Sequence, residues 1–159
     1  MSDTTNLTNL GDKAKRPRYD NPDPNQIEAF PLENNKNLLV VGLDCLEFTS
    51  ICPMTGQPDF AKIYITYIPN KLCVETKSLK FYLTSYRNEG TFYEDLVEKI
   101  AEDLQSVINS RYLRVYGVLN VRGGIIINAM ATRQSDNLDK AEVDNCHRLV
   151  ANYDQLQTR

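Results

Sequence analysis

A stretch of turn-forming residues separates the two most strand-like segments of the chain. It covers residues 51–59, reads ICPMTGQPD, and contains two prolines and a glycine. Proline fixes φ and glycine permits positive φ, so the stretch predicts a stiff loop with few conformations. Residues 38–45, continuing to about residue 51, and residues 60–68 are rich in apolar and β-branched side chains. The pattern therefore predicts two strands joined by a rigid loop.

The second of these strands shows a clear two-residue period. Ala61, Ile63, Ile65 and Tyr67 share one face, which is mostly aliphatic and suits a core. A short extended piece, residues 72–75, follows. Apolar residues spaced by threes and fours then predict helices over residues 76–86 and from 92 to about 110.

The rest of the chain predicts two further strands. Residues 112–119 and 125–131 are separated by the turn signal NVRGG, residues 120–124. Residues 132–159 are polar and predict part helix and part tail. The order strand, strand, helix, helix, strand, strand predicts an α+β domain, an antiparallel sheet with two helices on one face. Four strands leave two open edges, which oligomerisation into a closed barrel would remove.

Composition limits the classes of partner. The 159 residues are 25% charged and carry a net charge of −3, so no overall basic field favours nucleic acid or a membrane surface. No apolar run is long enough to span a bilayer, and the N-terminus lacks the pattern of a secretion signal. We expect a cytoplasmic protein with a flexible arm at residues 1–25 and a single domain at 26–159. The basic cluster at residues 13–18 is expected to be a solvated tail.

The cysteines indicate free thiols. The chain has four cysteines without CxxC spacing and a single histidine, so a structural metal site is not expected. Cys52 and Asp59 lie at the two ends of the stiff loop. A thiol beside a carboxylate can act as a nucleophile, because the reactive thiolate needs a proton acceptor. Taken alone, the pair is also compatible with an ordinary turn that holds a core cysteine.

Three further features have two interpretations each. Lys77 and Lys80 lie one turn apart at a helix start, where they could hold a phosphate or face solvent. Thr91 and Glu94 have the spacing of a capping box, which would explain Glu94 without a ligand. Arg122, beside two glycines, suits an anion contact or a simple turn.

Five blocks of sequence, in order and spacing, resemble one family. They are residues 47–60, 74–82, 86–88, 92–95 and 121–125. From residue 22 to about residue 127 the chain is similar to the NADPH-dependent nitrile reductases of queuosine biosynthesis, the 7-cyano-7-deazaguanine reductases. The resemblance implies the tunnelling fold, whose element order matches the one predicted above, and a ring of subunits with active sites between them. It also implies 7-cyano-7-deazaguanine as the substrate, with no direct contact to nucleic acid.

The same resemblance implies roles for individual residues. Cys52 would add to the nitrile carbon to give a covalent thioimide, Asp59 would transfer protons, and Glu94 would bind the guanine-like edge of the substrate. Tyr93, also expected at the substrate, stands where well-studied relatives carry histidine. The residues expected at the NADPH cofactor are Glu75, Lys77, Ser78, Lys80 and Arg122.

Two other functions stay open at this point. An amidinotransferase relative of the same fold forms the same cysteine–nitrile adduct on tRNA but has lost the cofactor block. Lys77, Lys80 and the acidic net charge argue against it. A non-catalytic ligand-binding module would bind without a covalent adduct at Cys52, and the tyrosine at position 93 is its support.

Overall fold

The computed structural model of the chain describes residues 19–33 and 38–157. Residues 1–18, which include most of the predicted arm and its basic cluster, lie outside the described residues. Four strands form an antiparallel sheet in the order β2-β3-β5-β6, and two short strands, β1 and β4, pair separately. The strands are β1 (Ala29–Pro31), β2 (Val41–Ile51), β3 (Pro58–Ile68), β4 (Leu72–Val74), β5 (Tyr112–Leu119) and β6 (Asn128–Gln134).

Three α-helices accompany the sheets: α1 (Thr76–Ser85), α2 (Tyr93–Ile108) and α3 (Lys140–Gln157). Short 3-10 turns lie at Pro24–Gln26 and Tyr86–Asn88. The core lies between one face of the sheet and the pair α1 and α2. The face predicted to be buried on β3 is buried, with Ile63 and Tyr67 each at most 1% exposed. The predicted α+β class with two helices on one face is therefore confirmed.

The C-terminal helix packs on the opposite face of the sheet. Ile68 and Tyr112 from β3 and β5 form a second small apolar cluster with Cys146 and Val150 of α3. Residues 132–134 of the segment predicted to be part helix and part tail belong to β6, and one continuous helix occupies Lys140–Gln157. Its buried residues are four apart, but the polar composition around them weakens the periodic signal.

The last strand also begins later than predicted. Residues 125–131 were expected to form it, whereas β6 covers Asn128–Gln134. Ile125 instead pairs back with Arg122 through two backbone hydrogen bonds of 2.9 and 3.1 Å. The two residues between them, Gly123 and Gly124, have φ of 58° and 82°. This is the geometry of a tight two-residue turn, which shifts the start of the strand by three residues.

Among the described residues, none of the helices combines the length and the apolar character that crossing a bilayer requires.

Candidate active site

The Cys52 loop is the tip of the hairpin formed by β2 and β3. The amide of Cys52 donates to the Gln57 carbonyl at 2.9 Å, and the amide of Gly56 donates to the Cys52 carbonyl at 2.9 Å. Gly56 has φ of 66°, a conformation that other residues adopt at a cost. Cys52 is half-buried and directly follows the last residue of β2. The predicted loop between the two strands is thus confirmed, and its backbone hydrogen bonds determine where the sulfur lies.

Asp59 and Arg122 meet beside this loop. Asp59 lies on β3 opposite Ser50, and its side chain is 14% exposed. Arg122 begins the tight turn between β5 and β6, and its Nη1 donates to Asp59 Oδ1 at 3.1 Å. Its Nη2 donates to Thr55 Oγ1 at 2.9 Å and to Gln57 Oε1 at 3.3 Å. The guanidinium therefore links the hairpin tip to the carboxylate.

These neighbours change the acidity of the thiol. Hydrogen bonding from the Thr55 side chain and then from Arg122, helped by the amides of Met54 and Thr55, lowers the pKa of Cys52 to about 7. More of the sulfur is then thiolate at neutral pH than for a thiol at its reference pKa of about 8.5. The loop thus presents a thiol that is suited to nucleophilic attack.

The start of α2 lies against the same loop. The Ile51 amide donates to the Glu89 carbonyl at 3.0 Å, and the Thr91 amide donates to the Ile51 carbonyl at 3.3 Å. The capping box suggested by the sequence is wrong: Phe92 is the N-cap residue and makes no side-chain capping bond. The Thr91 hydroxyl instead donates to the Phe92 carbonyl at 3.3 Å. The exposed carboxylate of Glu94 is therefore not used as a cap.

One pocket brings these side chains together. Its volume is about 400 Å³, which is within the range of small-molecule sites. Cys52, Asp59, Arg122 and Glu94 all contribute to its wall. The remaining lining residues are mostly apolar or aromatic: Pro53, Thr91, Phe92, Tyr93, Leu119, Ile125 and Ile127. Apolar walls with a few convergent polar groups are typical of a small-molecule binding site.

Tyr93 lines this pocket, but its hydroxyl points into the protein. The residue is 6% exposed, and burial raises the pKa of its phenol. A Cβ added at Gly117 of β5 would lie 2.2 Å from the hydroxyl oxygen, so the tyrosine fills the space that this glycine leaves. The hydroxyl has no hydrogen-bond partner among the described residues. Its expected contact with the substrate stays a prediction.

Four of the five residues predicted for the cofactor lie at or near the start of α1, where two of them fix the helix end and two offer charge. Glu75 is the N-cap, and its carboxylate accepts from the amides of Lys77 at 2.8 Å and Ser78 at 2.6 Å. The Ser78 hydroxyl donates to the Glu75 carbonyl and accepts from the Glu28 amide at 2.9 Å. These amides are therefore not available to a phosphate, whereas the exposed Lys80 and the half-buried Lys77 offer ammonium groups.

Thr55 is the residue of this site to which the sequence assigned no role. It lies within the block that carries the family resemblance, three residues after Cys52 in a tight turn. That spacing is the signal that could have revealed it, since Ser and Thr hydroxyls commonly bond within their own turn. Neither Lys77 nor Lys80 is among the residues that line the pocket of Cys52.

The chain is similar to several known proteins. The profile of the family described as "QueF-like protein" matches residues 58–138. A protein of Streptococcus thermophilus named "NADPH-dependent 7-cyano-7-deazaguanine reductase" is 50% identical over 123 residues, which are 77% of this chain and 75% of that protein. A protein of the same name from Bacillus licheniformis is 46% identical over 127 residues, covering 80% of this chain and 76% of its own.

A solved structure shares the fold. It is the archaeosine synthase QueF-Like in the apo form, with a TM-score of 0.55 and 20% identity. The match covers 67% of this chain and 100% of the other. At this identity the likeness shows the fold alone, and it confirms the predicted tunnelling fold. The chain therefore belongs to the QueF-like family, together with the proteins named NADPH-dependent 7-cyano-7-deazaguanine reductase.

Proposed function

We propose that this protein reduces the nitrile of 7-cyano-7-deazaguanine to 7-aminomethyl-7-deazaguanine with NADPH, in the biosynthesis of queuosine. One observation carries the proposal. Cys52, Asp59 and Glu94 share one pocket in a chain that is 50% identical, over 77% of its length, to a protein named for this activity. The apolar walls suit the flat heterocycle, and the three functional side chains supply the chemistry.

In the first step the sulfur of Cys52 attacks the nitrile carbon. A carbon–sulfur bond forms, one π bond of the nitrile breaks, and its electron pair moves to nitrogen. The nitrogen takes a proton, so the proton that the thiol lost is recovered in a neutral thioimide. Asp59, which lines the same pocket, is the group proposed to carry that proton. Positioned proton transfer typically contributes about 10²–10⁴-fold in rate.

Glu94 is proposed to recognise the substrate. A carboxylate accepts two hydrogen bonds, which matches the adjacent ring N–H and amino groups of a guanine-like edge. Its position in the first turn of α2 brings it to the pocket wall, and the absence of a side-chain cap leaves it available. Tyr93 is proposed to contact the substrate through its ring, which also lines the pocket.

Lys77 and Lys80 are the residues proposed to hold the phosphates of NADPH. Two ammonium groups near the start of α1 fit a polyanionic cofactor. The Glu75 cap and the buried Ser78 hold the helix start in the position that presents these lysines. When bound, NADPH would supply two hydrides in succession. The carbon–sulfur bond to Cys52 would break between them, and two protons taken up overall would complete the conversion of nitrile to amine and leave the thiol free again. The resemblance to the reductases also implies a cofactor contact for Arg122.

The partners proposed are a small-molecule substrate and further copies of this chain in a ring, in the cytoplasm. Strands β2 and β6 form the two edges of the four-stranded sheet, and open edges favour pairing with a neighbour. Because the α1 lysines do not line the Cys52 pocket of their own subunit, an active site between subunits would bring the two groups together. No nucleic acid is needed, since the proposed substrate is a free base.

A turnover assay tests the proposal directly. Purified protein mixed with 7-cyano-7-deazaguanine should oxidise two equivalents of NADPH for each amine formed. The Cys52→Ser variant should form no product. Cys146→Ser, which alters a buried thiol of α3, is the matched control and should keep the activity. Absence of NADPH oxidation by folded wild-type protein would contradict the proposal.

Two further measurements separate the reductase from its rivals. Replacing both Lys77 and Lys80 by alanine should raise the KM for NADPH while covalent adduct formation continues, and unchanged kinetics would remove the support for a cofactor site there. The intact mass of the protein after mixing with the nitrile should increase by the mass of the substrate. A binding module would show no such adduct.

A further inference from the structure

Arg122 makes contacts within the protein that a residue serving only to bind the cofactor would not need. Both terminal nitrogens of its guanidinium donate to the nucleophile side of the pocket: to Asp59 at 3.1 Å, to Thr55 at 2.9 Å and to Gln57 at 3.3 Å. The turn that carries it is held by reciprocal backbone bonds to Ile125. The side chain therefore ties the tips of two hairpins together before any ligand is bound.

We propose that Arg122 is a positioning residue for the nucleophile: its guanidinium holds Thr55 and Asp59 in place beside Cys52 and supplies a positive charge in the pocket of the sulfur before the substrate arrives. The inference deepens the proposed function, on which it rests, and it moves Arg122 from the cofactor to the nucleophile. The planar fork of arginine is suited to this task because it donates to several acceptors in fixed directions.

The charges around the sulfur show why a cation is needed. The carboxylates of Asp59 from β3 and Glu94 from α2 face the same pocket as Cys52, together with the ring of Tyr93. Two negative charges favour the neutral thiol, since like charges disfavour ionisation. Among the described residues that line the pocket, Arg122 is the one cation.

The direction of the pKa agrees with this geometry. Hydrogen bonding to Thr55 and to Arg122 lowers the pKa of Cys52, and the interaction with Cys52 raises the pKa of Arg122. The effect of Thr55 depends on Arg122, because the guanidinium of Arg122 donates a hydrogen bond to the Thr55 hydroxyl. Loss of the guanidinium should therefore remove both contributions.

The test is the pH profile of thiol alkylation, which requires neither substrate nor cofactor. Wild type, Arg122→Ala, Arg122→Lys and Val121→Ala are treated with iodoacetamide from pH 5 to pH 10, and modification of Cys52 is followed by peptide mass spectrometry. Cys52→Ser is the blank. Val121 is 63% exposed in the same turn and does not line the pocket, so its variant controls for disturbance of the turn. The midpoints of the pH profiles are compared, and not the alkylation rates at one pH. A thiolate becomes more nucleophilic as its pKa rises, so a rate at one pH mixes this effect with the fraction ionised.

The wild-type midpoint should lie at about pH 7. Arg122→Ala should move it upward by about one unit or more, towards the reference thiol value of about 8.5. Arg122→Lys keeps the charge without the fork and should give an intermediate midpoint, and Val121→Ala should match the wild type. A midpoint near 7 in Arg122→Ala would overturn the proposal, as would an upward shift of equal size in Val121→Ala.

A second measurement distinguishes this inference from the proposed function. If Arg122 served the cofactor phosphates, Arg122→Ala would raise the KM for NADPH and leave the alkylation midpoint unchanged, which would overturn the positioning role. If the wild-type protein failed to reduce the nitrile but the midpoint still shifted in Arg122→Ala, the proposed function would fail while the positioning role of Arg122 would stand.

Discussion

The hydroxyl of Tyr93 can be removed to test how this pocket is built. It is buried against Gly117, where an added Cβ would lie 2.2 Å from the oxygen, and it has no hydrogen-bond partner among the described residues. The ring itself lines the pocket and packs close to Val97 and Gly117. Tyr93→Phe therefore removes an unpartnered polar atom and leaves the packing of the ring in place.

The magnitude follows from the cost of burying a polar group without a partner. That cost is about 1–3 kcal/mol for a hydroxyl, so removing the oxygen should raise the free energy of unfolding by about 1 kcal/mol after some loss of packing. For a chain of this size such a gain corresponds to an increase in Tm of roughly 2–4 °C. Because the oxygen lies against β5, kcat/KM for the nitrile should stay within about twofold of the wild type.

Urea denaturation and NADPH oxidation are measured on the same preparations. Tyr116→Phe is the matched control, because Tyr116 precedes Gly117 on β5 but is only half-buried and stacks on Tyr64 on the other face. Its stability should change by less than about 0.5 kcal/mol. A loss of stability in Tyr93→Phe would show that the hydroxyl has a partner. A large fall in kcat/KM at unchanged stability would show that the hydroxyl contacts the substrate, and either result would refute the reasoning.

Three other outcomes are expected. Glu94→Gln should lower kcat/KM for the nitrile by roughly 10- to 100-fold in the turnover assay, the value of a charge-assisted hydrogen bond, and an unchanged value would exclude Glu94 from recognition. Tyr82→Phe should lower the free energy of unfolding in urea by about 1–3 kcal/mol, since the Tyr82 hydroxyl donates to the buried Asp103 at 2.6 Å; a neutral change would contradict this. Arg114 lowers the pKa of Asp154, so their ion pair should stabilise α3 at neutral pH and stop doing so as the pH falls below about 4. Hydrogen exchange in α3 should therefore be faster in Asp154→Asn than in wild type at pH 7, and the difference should shrink as the pH falls from about 4 through the lowered pKa of Asp154; equal rates at pH 7 would refute it.

Local patterns in the sequence predicted most of the elements. The alternation of Ile63, Ile65 and Tyr67 predicted which face of β3 is buried, because a one-residue slip would turn these side chains to the other face. The four-residue spacing of Leu96, Ile100 and Leu104 likewise predicted which face of α2 is buried. Such patterns report on burial, so they were less informative for α3, where few apolar residues are buried, and for the residues just after the glycine turn.

The candidate site was predicted in part. Cys52 and Asp59 are close in sequence, and the stiff loop between them made their proximity predictable. The role of Arg122 was not, because a contact across two hairpins depends on strand register and not on a local pattern. The capping box failed for a related reason: Phe92 takes the N-cap position because the chain before it is bridged to Ile51, and this tertiary contact overrides a weak local preference.

The antiparallel order of the sheet explains why these distant residues meet. Residues at the start of β3 pair with those at the end of β5, as Ala61 does with Leu119. The loop that precedes β3 and the turn that follows β5 must therefore lie at the same end of the sheet. Cys52 lies on the loop that precedes β3, and Arg122 lies on the turn that follows β5. Each tip is closed by its own backbone hydrogen bonds, so the fold of the sheet brings Cys52 and Arg122 to the wall of one pocket.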